Sequence, residues 1–302
     1  MTEPIKKEIL AAVDGSEGAL NAVGYAARML PPGTAAIVLF HVMPPAPPLY
    51  RDSLDAALQQ SHAVWCRKHE RLAAEALDRA RAQARAAGFL DDDIRLKSQA
   101  AIVGVARDIL AEAYRGNYDA VLMGRRGLGA MQDLFIGSVS NKVLQHAGVP
   151  LWLVEGRHLP PGLLVAVDES EHSLRAIDHV GFMLGGRGDV PVTLLHVQPA
   201  SLIGGRLGPE SCQGEEAEAL FPFLARARRE LLEAGVPAEV VRVSACRWRD
   251  PATGLLSEAR QGGYGTIVMG RRGLTGAKAF FLGSVSSKLI STTRQMAVWV
   301  VP

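Results

Sequence analysis

Two stretches of this chain combine glycine, serine and arginine at a spacing suited to holding phosphate. The first is Met123-Gly-Arg-Arg-Gly-Leu…Phe135-Ile-Gly-Ser-Val-Ser-Asn-Lys142, and the second is Met269-Gly-Arg-Arg-Gly-Leu…Phe281-Leu-Gly-Ser-Val-Ser-Ser-Lys288. Twelve of their twenty aligned positions are identical, which makes them the strongest internal match in the sequence. Both read Gly-x2-Gly-x9-Gly-Ser: Gly124, Gly127, Gly137 and Ser138, then Gly270, Gly273, Gly283 and Ser284. Glycines allow close backbone approach to a ligand and positive φ where a loop turns sharply. A Gly-Ser pair opening a helix presents N–H groups that have no partner within the helix, and the macrodipole favours an anion there. Ser138 and Ser140 add hydroxyl donors, and Arg125 and Arg126 add charge. The same residues also describe an ordinary loop and N-cap. Their recurrence at corresponding places, each time between a strand and a helix, favours the phosphate reading.

Short apolar runs and helical patterns must position these loops. In the first half the runs are Ile9–Val13, Ala36–Val42, Ile94–Lys97, Ala120–Met123 and Leu151–Val154. In the second half they are Leu163–Val167, Val192–Val197, Val240–Val243, Thr266–Met269 and Ala297–Val301. Continuous Val, Ile and Leu over so few residues predicts strands buried on both faces. Leu20, Val23, Ala27 and Leu30 fall on one helix face, and residues 65–87 have helical composition ending at Gly88. Strands alternating with helices predict an α/β fold with a mostly parallel sheet covered on both faces. The halves are copies. Val13-Asp14-Gly15-Ser16-Glu17 corresponds to Val167-Asp168-Glu169-Ser170-Glu171, and Phe40-His41-Val42-Met43-Pro44 to Leu195-His196-Val197-Gln198-Pro199. The turn-rich segment Glu155-Gly-Arg-His-Leu-Pro-Pro-Gly162 joins two domains, 1–156 and 157–302.

Composition bounds the function. Of 302 residues, 48% are hydrophobic and 21% charged, enough apolar material for two cores. The net charge of +2 demands neither nucleic acid nor an anionic membrane as partner. Cys66, Cys212 and Cys246 form no CxxC pair and no even disulfide framework, which suits a reducing cytosol. No apolar run is long enough to span a bilayer, and Met1-Thr-Glu-Pro-Ile-Lys-Lys-Glu lacks a signal-peptide core, so a cytoplasmic protein is expected. His41 and His196 have no companion at ligand spacing and are expected to satisfy backbone near the sheet end rather than bind metal.

Glycines and serines in this pattern after a fourth strand, with Asp ending the first and His-Val ending the second, resemble the ATP-binding branch of the universal stress protein family. The likeness covers the chain twice. It implies two tandem five-stranded parallel-sheet domains, strand order 3-2-1-4-5, helices on both faces and a nucleotide beside strands one and four, at the topological switch point. Carried over, adenine lies among Ala12, Asp14, Val42 and Met123. Gly124 faces the ribose, and Arg126, Gly127, Gly137, Ser138, Val139 and Ser140 hold the phosphates. In the second copy the matching residues are Ala166, Asp168, Val197, Met269, Gly270, Arg272, Gly273, Gly283, Ser284, Val285 and Ser286. Asp14 and Asp168 suit an adenine amino group or a ribose hydroxyl, or a cap for the next helix. The resemblance further implies ATP, with Mg²⁺ on its phosphates, at one site per domain, in a regulatory stress-response protein. Fifth strands of the family commonly pair between subunits, so Leu151–Val154 and Ala297–Val301 are expected to pair within this one chain as an internal pseudo-dimer, with a homo-oligomer of such chains as a further option. One departure is the loop after strand three, where the family's Gly-x-Pro turn is replaced by Ala101-Ile-Val-Gly-Val-Ala-Arg-Asp108 and Cys246-Arg-Trp-Arg-Asp-Pro-Ala252. The alternative is an ATP-using enzyme on the same scaffold: a slow ATPase, an autophosphorylating protein or an adenylyl or phosphoryl transferase. The signature loops of such enzymes are missing from the sequence. A scaffold without nucleotide is the third reading, disfavoured by two intact glycine patterns.

Overall fold

The computed structural model describes residues 6–51, 55–128, 136–199, 211–273 and 282–302. The chain divides into two compact units, Met1–His146 and Ala147–Pro302. The first unit runs β1 (Lys7–Ala12), α1 (Glu17–Met29), β2 (Ala35–Met43), α2 (Pro48–Arg51), α3 (Ala56–Ala87), β3 (Ile94–Ala100), α4 (Val105–Arg115), β4 (Ala120–Gly124) and α5 (Ser138–His146). Its strands are parallel in the order β3-β2-β1-β4. Helix α1 packs on α3, and α4 packs on α5, giving a helical layer on each face of the sheet. Parallel strands need such crossovers, and covering both faces explains why Ile9, Leu10, Ile37 and Leu39 are wholly buried.

The second unit contains β5 (Leu151–Val154), β6 (Leu163–Ala166), α6 (Glu171–Leu184), β7 (Val192–Pro199), β8 (Ser211–Gln213), α7 (Glu215–Leu220) and α8 (Pro222–Glu233). It continues with β9 (Val241–Trp248), α9 (Pro251–Gln261), β10 (Thr266–Gly270), α10 (Ser284–Thr292) and β11 (Ala297–Val301). Here α6 packs on α8 and α9 on α10. Strands β11-β10-β6-β7-β9 are parallel, which is the expected 3-2-1-4-5 order read from the other edge. Two antiparallel strands flank them: β8 on β9, which the sequence pattern did not signal, and β5 on β11.

Strand β5 ends the first copy in sequence, yet it belongs to the second unit. Its ladder sets Trp152 directly opposite Trp299. The two fully buried indoles stack with centroids 3.8 Å apart and planes 4° apart. Trp152 Nε1–H donates to Nε2 of His179 on α6 at 3.0 Å. Because that nitrogen accepts, the neutral ring carries its proton on Nδ1. Burial lowers the His179 pKa to about 3 and keeps the ring uncharged.

Local signals set the helix boundaries. Ser16 and Ser170 accept from the Ala19 and Ser173 N–H groups, both at 3.2 Å, as N-caps of α1 and α6. Helix α3 begins nine residues before the expected start at residue 65, because Asp55 accepts from the Ala57 N–H at 2.8 Å and caps it there. It stops at Gly88, whose φ of 115° only glycine adopts without strain. In place of a Gly-x-Pro turn after β3, the buried Asp108 carboxylate accepts from the N–H groups of Ile102, Val103 and Gly104 at 2.7, 3.2 and 3.3 Å.

Candidate functional site

In the first unit the carboxyl ends of β1, β2 and β4 meet the start of α5, the inner face of α3 and the first turns of α4. They enclose a cavity of about 630 Å³. This is within the usual range for a small-molecule site. Ten of the eleven residues expected there line it: Ala12, Asp14, Val42, Met123, Gly124, Arg126, Gly127, Ser138, Val139 and Ser140. The eleventh, Gly137, is buried behind the loop, where its N–H donates to the Arg125 carbonyl at 2.9 Å.

The loop glycines work differently from the sequence expectation. None of the six has positive φ. Close packing against backbone requires two of them, Gly124 and Gly270, instead. A β-carbon on Gly124 would stand 2.6–2.8 Å from the backbone of Gly18 and Ala19 in α1, and one on Gly127 would stand 2.2 Å from Asp14 Oδ2. In the second copy, Gly270 abuts His172 at 2.6 Å and Gly273 abuts Asp168 Oδ2 at 2.7 Å. Gly137 and Gly283 are looser, with 3.4 Å to their nearest neighbours.

Asp14 ties the two loops together. Its Oδ1 accepts from the Ser16 N–H and its Oδ2 from the Leu128 N–H, both at 3.0 Å. It therefore caps neither helix directly, since that position belongs to Ser16. Asp168 accepts from the Ser170 N–H at 2.9 Å in the same way. Ser140 and Ser286 are buried, and each hydroxyl donates at 3.0 Å to the carbonyl ending the fourth strand, Gly124 and Gly270 respectively. These hydroxyls latch helix to strand and are already engaged, so what Ser140 offers a ligand is its backbone N–H. The first bond inside α5 runs from the Asn141 N–H to Gly137 O at 2.8 Å, so the N–H groups of Ser138, Val139 and Ser140 precede the helical ladder. Their residues line the cavity.

His41 lines the cavity and holds the Val13 carbonyl through Nδ1 at 2.8 Å; His196 holds Val167 O at 2.9 Å. A carbonyl only accepts, so Nδ1 carries the proton, and burial lowers the His41 pKa. Among the described residues no cluster of His, Cys, Asp and Glu could hold a metal ion. Cavity residues that the sequence reading did not single out include His69, Leu72, Ala76 and Arg79 on α3 and Val105 and Ile109 on α4. The four α3 residues recur at 3-4-3 spacing, a helix-face signal hidden in a long Ala- and Arg-rich segment. Arg79 reaches across to the Gly15 carbonyl at 3.0 Å and to Glu17 at 3.1 Å.

The eleven second-copy residues sit on the matching elements. Ala166 and Asp168 are at the end of β6, Val197 is on β7, and Met269 and Gly270 end β10. Arg272 and Gly273 follow in the loop, and Gly283, Ser284, Val285 and Ser286 open α10. Gly283 N–H donates to Arg271 O at 3.0 Å, repeating the Gly137 contact.

A tandem pair of parallel α/β sheets with a glycine–serine loop after each fourth strand defines the class. The model described as "Universal stress protein family" matches residues 6–155 and 162–302. A universal stress protein of Mycolicibacterium smegmatis is 30% identical over 301 residues, covering 96% of each chain. A single-copy relative from Thermus aquaticus is 31% identical over 153 residues, covering 49% of this chain and 98% of its own. The fold matches that of a universal stress protein from Archaeoglobus fulgidus with TM-score 0.64 at 19% identity, over 97% of both chains. A putative universal stress protein from Pseudomonas aeruginosa matches with TM-score 0.54 at 15% identity, over 99% of this chain and 94% of that one. The chain belongs to the universal stress protein family.

Proposed function

We propose that the first copy binds ATP, with Mg²⁺ on its phosphates, and that the chain acts as a nucleotide-dependent regulatory protein of the cytoplasmic stress response. The observation that carries this reading is the opening of α5 onto the cavity, with the N–H groups of Ser138, Val139 and Ser140 ahead of the first intrahelical bond. Backbone donors at a helix start suit an anion of high charge. Arg126, on the loop that follows β4, lines the same cavity and brings a cation to it. Apolar residues Ala12, Val42, Met123 and Ile109 give the remaining wall the character that a flat heteroaromatic base requires.

Nucleotide released by denaturing the purified protein and resolved by chromatography tests the reading. ATP recovered near stoichiometry is expected, with loss of retention in Gly127→Val, whose side chain collides with Asp14. A protein that carries no adenine nucleotide and takes none up on titration contradicts it. Recovery of ADP with steady phosphate release would move the assignment to the slow ATPase alternative.

A further inference from the structure

The two copies share their glycine loops but not the wall that faces them. Leu77, Ala80, Ala84 and Gly88 correspond in sequence and helical position to Leu224, Ala227, Leu231 and Gly235. The same register sets Ala76 against Phe223 and Glu75 against Pro222. In the first copy α3 runs unbroken past His41, and Ala76 lines the cavity. In the second, Pro222 lacks the N–H that would continue a helix, so the segment splits into α7 and α8. At the break Phe221 adopts φ −131° and ψ 83°. Phe221 and Phe223 close on His196, with ring centroids at 4.7 and 4.9 Å.

Two further differences separate the copies here. Gly15, with φ 82° and where an added β-carbon would stand 3.2 Å from the Ala76 β-carbon, is replaced by the exposed Glu169. Arg79, which clamps the first copy's loop, corresponds to Arg226, which turns back to Glu230 on its own helix at 2.8 Å.

We infer that the second copy's cleft is closed by its own aromatic pair, Phe221 and Phe223, so that each chain holds one nucleotide, in the first copy. The inference rests on the nucleotide reading of the first cavity and fixes its stoichiometry. The second copy keeps the phosphate loop as structure: Ser286 latches α10 to β10, and Gly270 packs on α6.

Isothermal titration with Mg-ATP tests this on the wild type, Gly127→Val, Gly273→Val, Phe221→Ala/Phe223→Ala and Ala76→Phe. One site per wild-type chain is expected, abolished by Gly127→Val and by Ala76→Phe and unchanged by Gly273→Val. Removing both phenylalanines should raise the count towards two. Two sites in the wild type overturn the inference while leaving the nucleotide reading intact. No binding by any variant overturns both. If the double alanine variant does not fold, the wild-type count and Ala76→Phe still decide the matter.

Discussion

Helix α3 of the first unit and the α7–α8 pair of the second occupy equivalent places and build opposite surroundings. The long helix presents His69, Leu72, Ala76 and Arg79 to an open cavity of about 630 Å³. The broken pair folds Phe221 and Phe223 onto His196. The loops across from them are nearly the same in sequence and bonding: Gly137 N–H to Arg125 O against Gly283 N–H to Arg271 O, and Ser140 Oγ to Gly124 O against Ser286 Oγ to Gly270 O. The glycine–serine loop sequence therefore specifies the loop's own bonding, while the wall facing it is set by side chains about sixty positions away. One proline breaks that wall in the second copy, and two phenylalanines there pack on His196.

The largest expected difference between the units is their response to acid. His179 of the second unit corresponds to Tyr25 of the first, and both are buried. Burial lowers the folded-state pKa of His179 to about 3, whereas the unfolded chain binds a proton near 6.5. Between those values the unfolded state holds more protons, so stability is complete above pH 6.5 and falls as pH drops towards 3. The slope is at most about 1.4 kcal/mol per pH unit for one group. Urea midpoints at pH 7 and pH 4.5, followed through the circular dichroism of the stacked Trp152–Trp299 pair, should show the loss in the second unit. His179→Gln keeps an acceptor for Trp152 and should flatten the profile. An unchanged slope would remove this residue from the account.

Next come Gly124→Ala and Gly270→Ala. The added methyl meets backbone in both copies, Gly18–Ala19 in one and His172 in the other, so neither can yield by a rotamer change. Each should cost about 2 kcal/mol, the scale of overpacking a tight contact. Gly137→Ala and Gly283→Ala, at 3.4 Å, should cost much less. Thermal denaturation of the four variants checks the ranking, and its reversal would refute the close-packing account of these glycines. Smaller still are Ser140→Ala and Ser286→Ala. Each removes one buried hydroxyl bond and should destabilise by about 1 kcal/mol. Only Ser140→Ala should also weaken ATP binding, by loosening the start of α5. Equal effects of the two on binding would argue for two working sites.

Much of this was legible in the sequence. The central strands were, because residues buried on both faces read as unbroken Val, Ile and Leu runs, and Leu151–Val154 and Ala297–Val301 stand where the pattern set them. The glycine–serine loops were legible because their residue types are rarely needed together elsewhere. The structural role of His41 and His196 followed from the lack of companion ligands. Strand β8, Ser211–Gln213, was not legible: three residues without apolar alternation carry no period. Nor was the reason for the glycines, since contact with α1 or with Asp14 is tertiary and a motif suggests positive φ by habit. The packing of Phe221 and Phe223 on His196 was hidden for the same cause. Phe221 and Phe223 are ordinary helix-end residues until β7 brings His196 beneath them.

The most direct test of the account is the number of nucleotides held by one wild-type chain. Native mass spectrometry of the intact protein, saturated with Mg-ATP, reads it as a mass increment, and Gly127→Val against Gly273→Val assigns it to a copy. The account predicts a single increment that disappears in Gly127→Val and persists in Gly273→Val. Two increments, or one that disappears only in Gly273→Val, would contradict it.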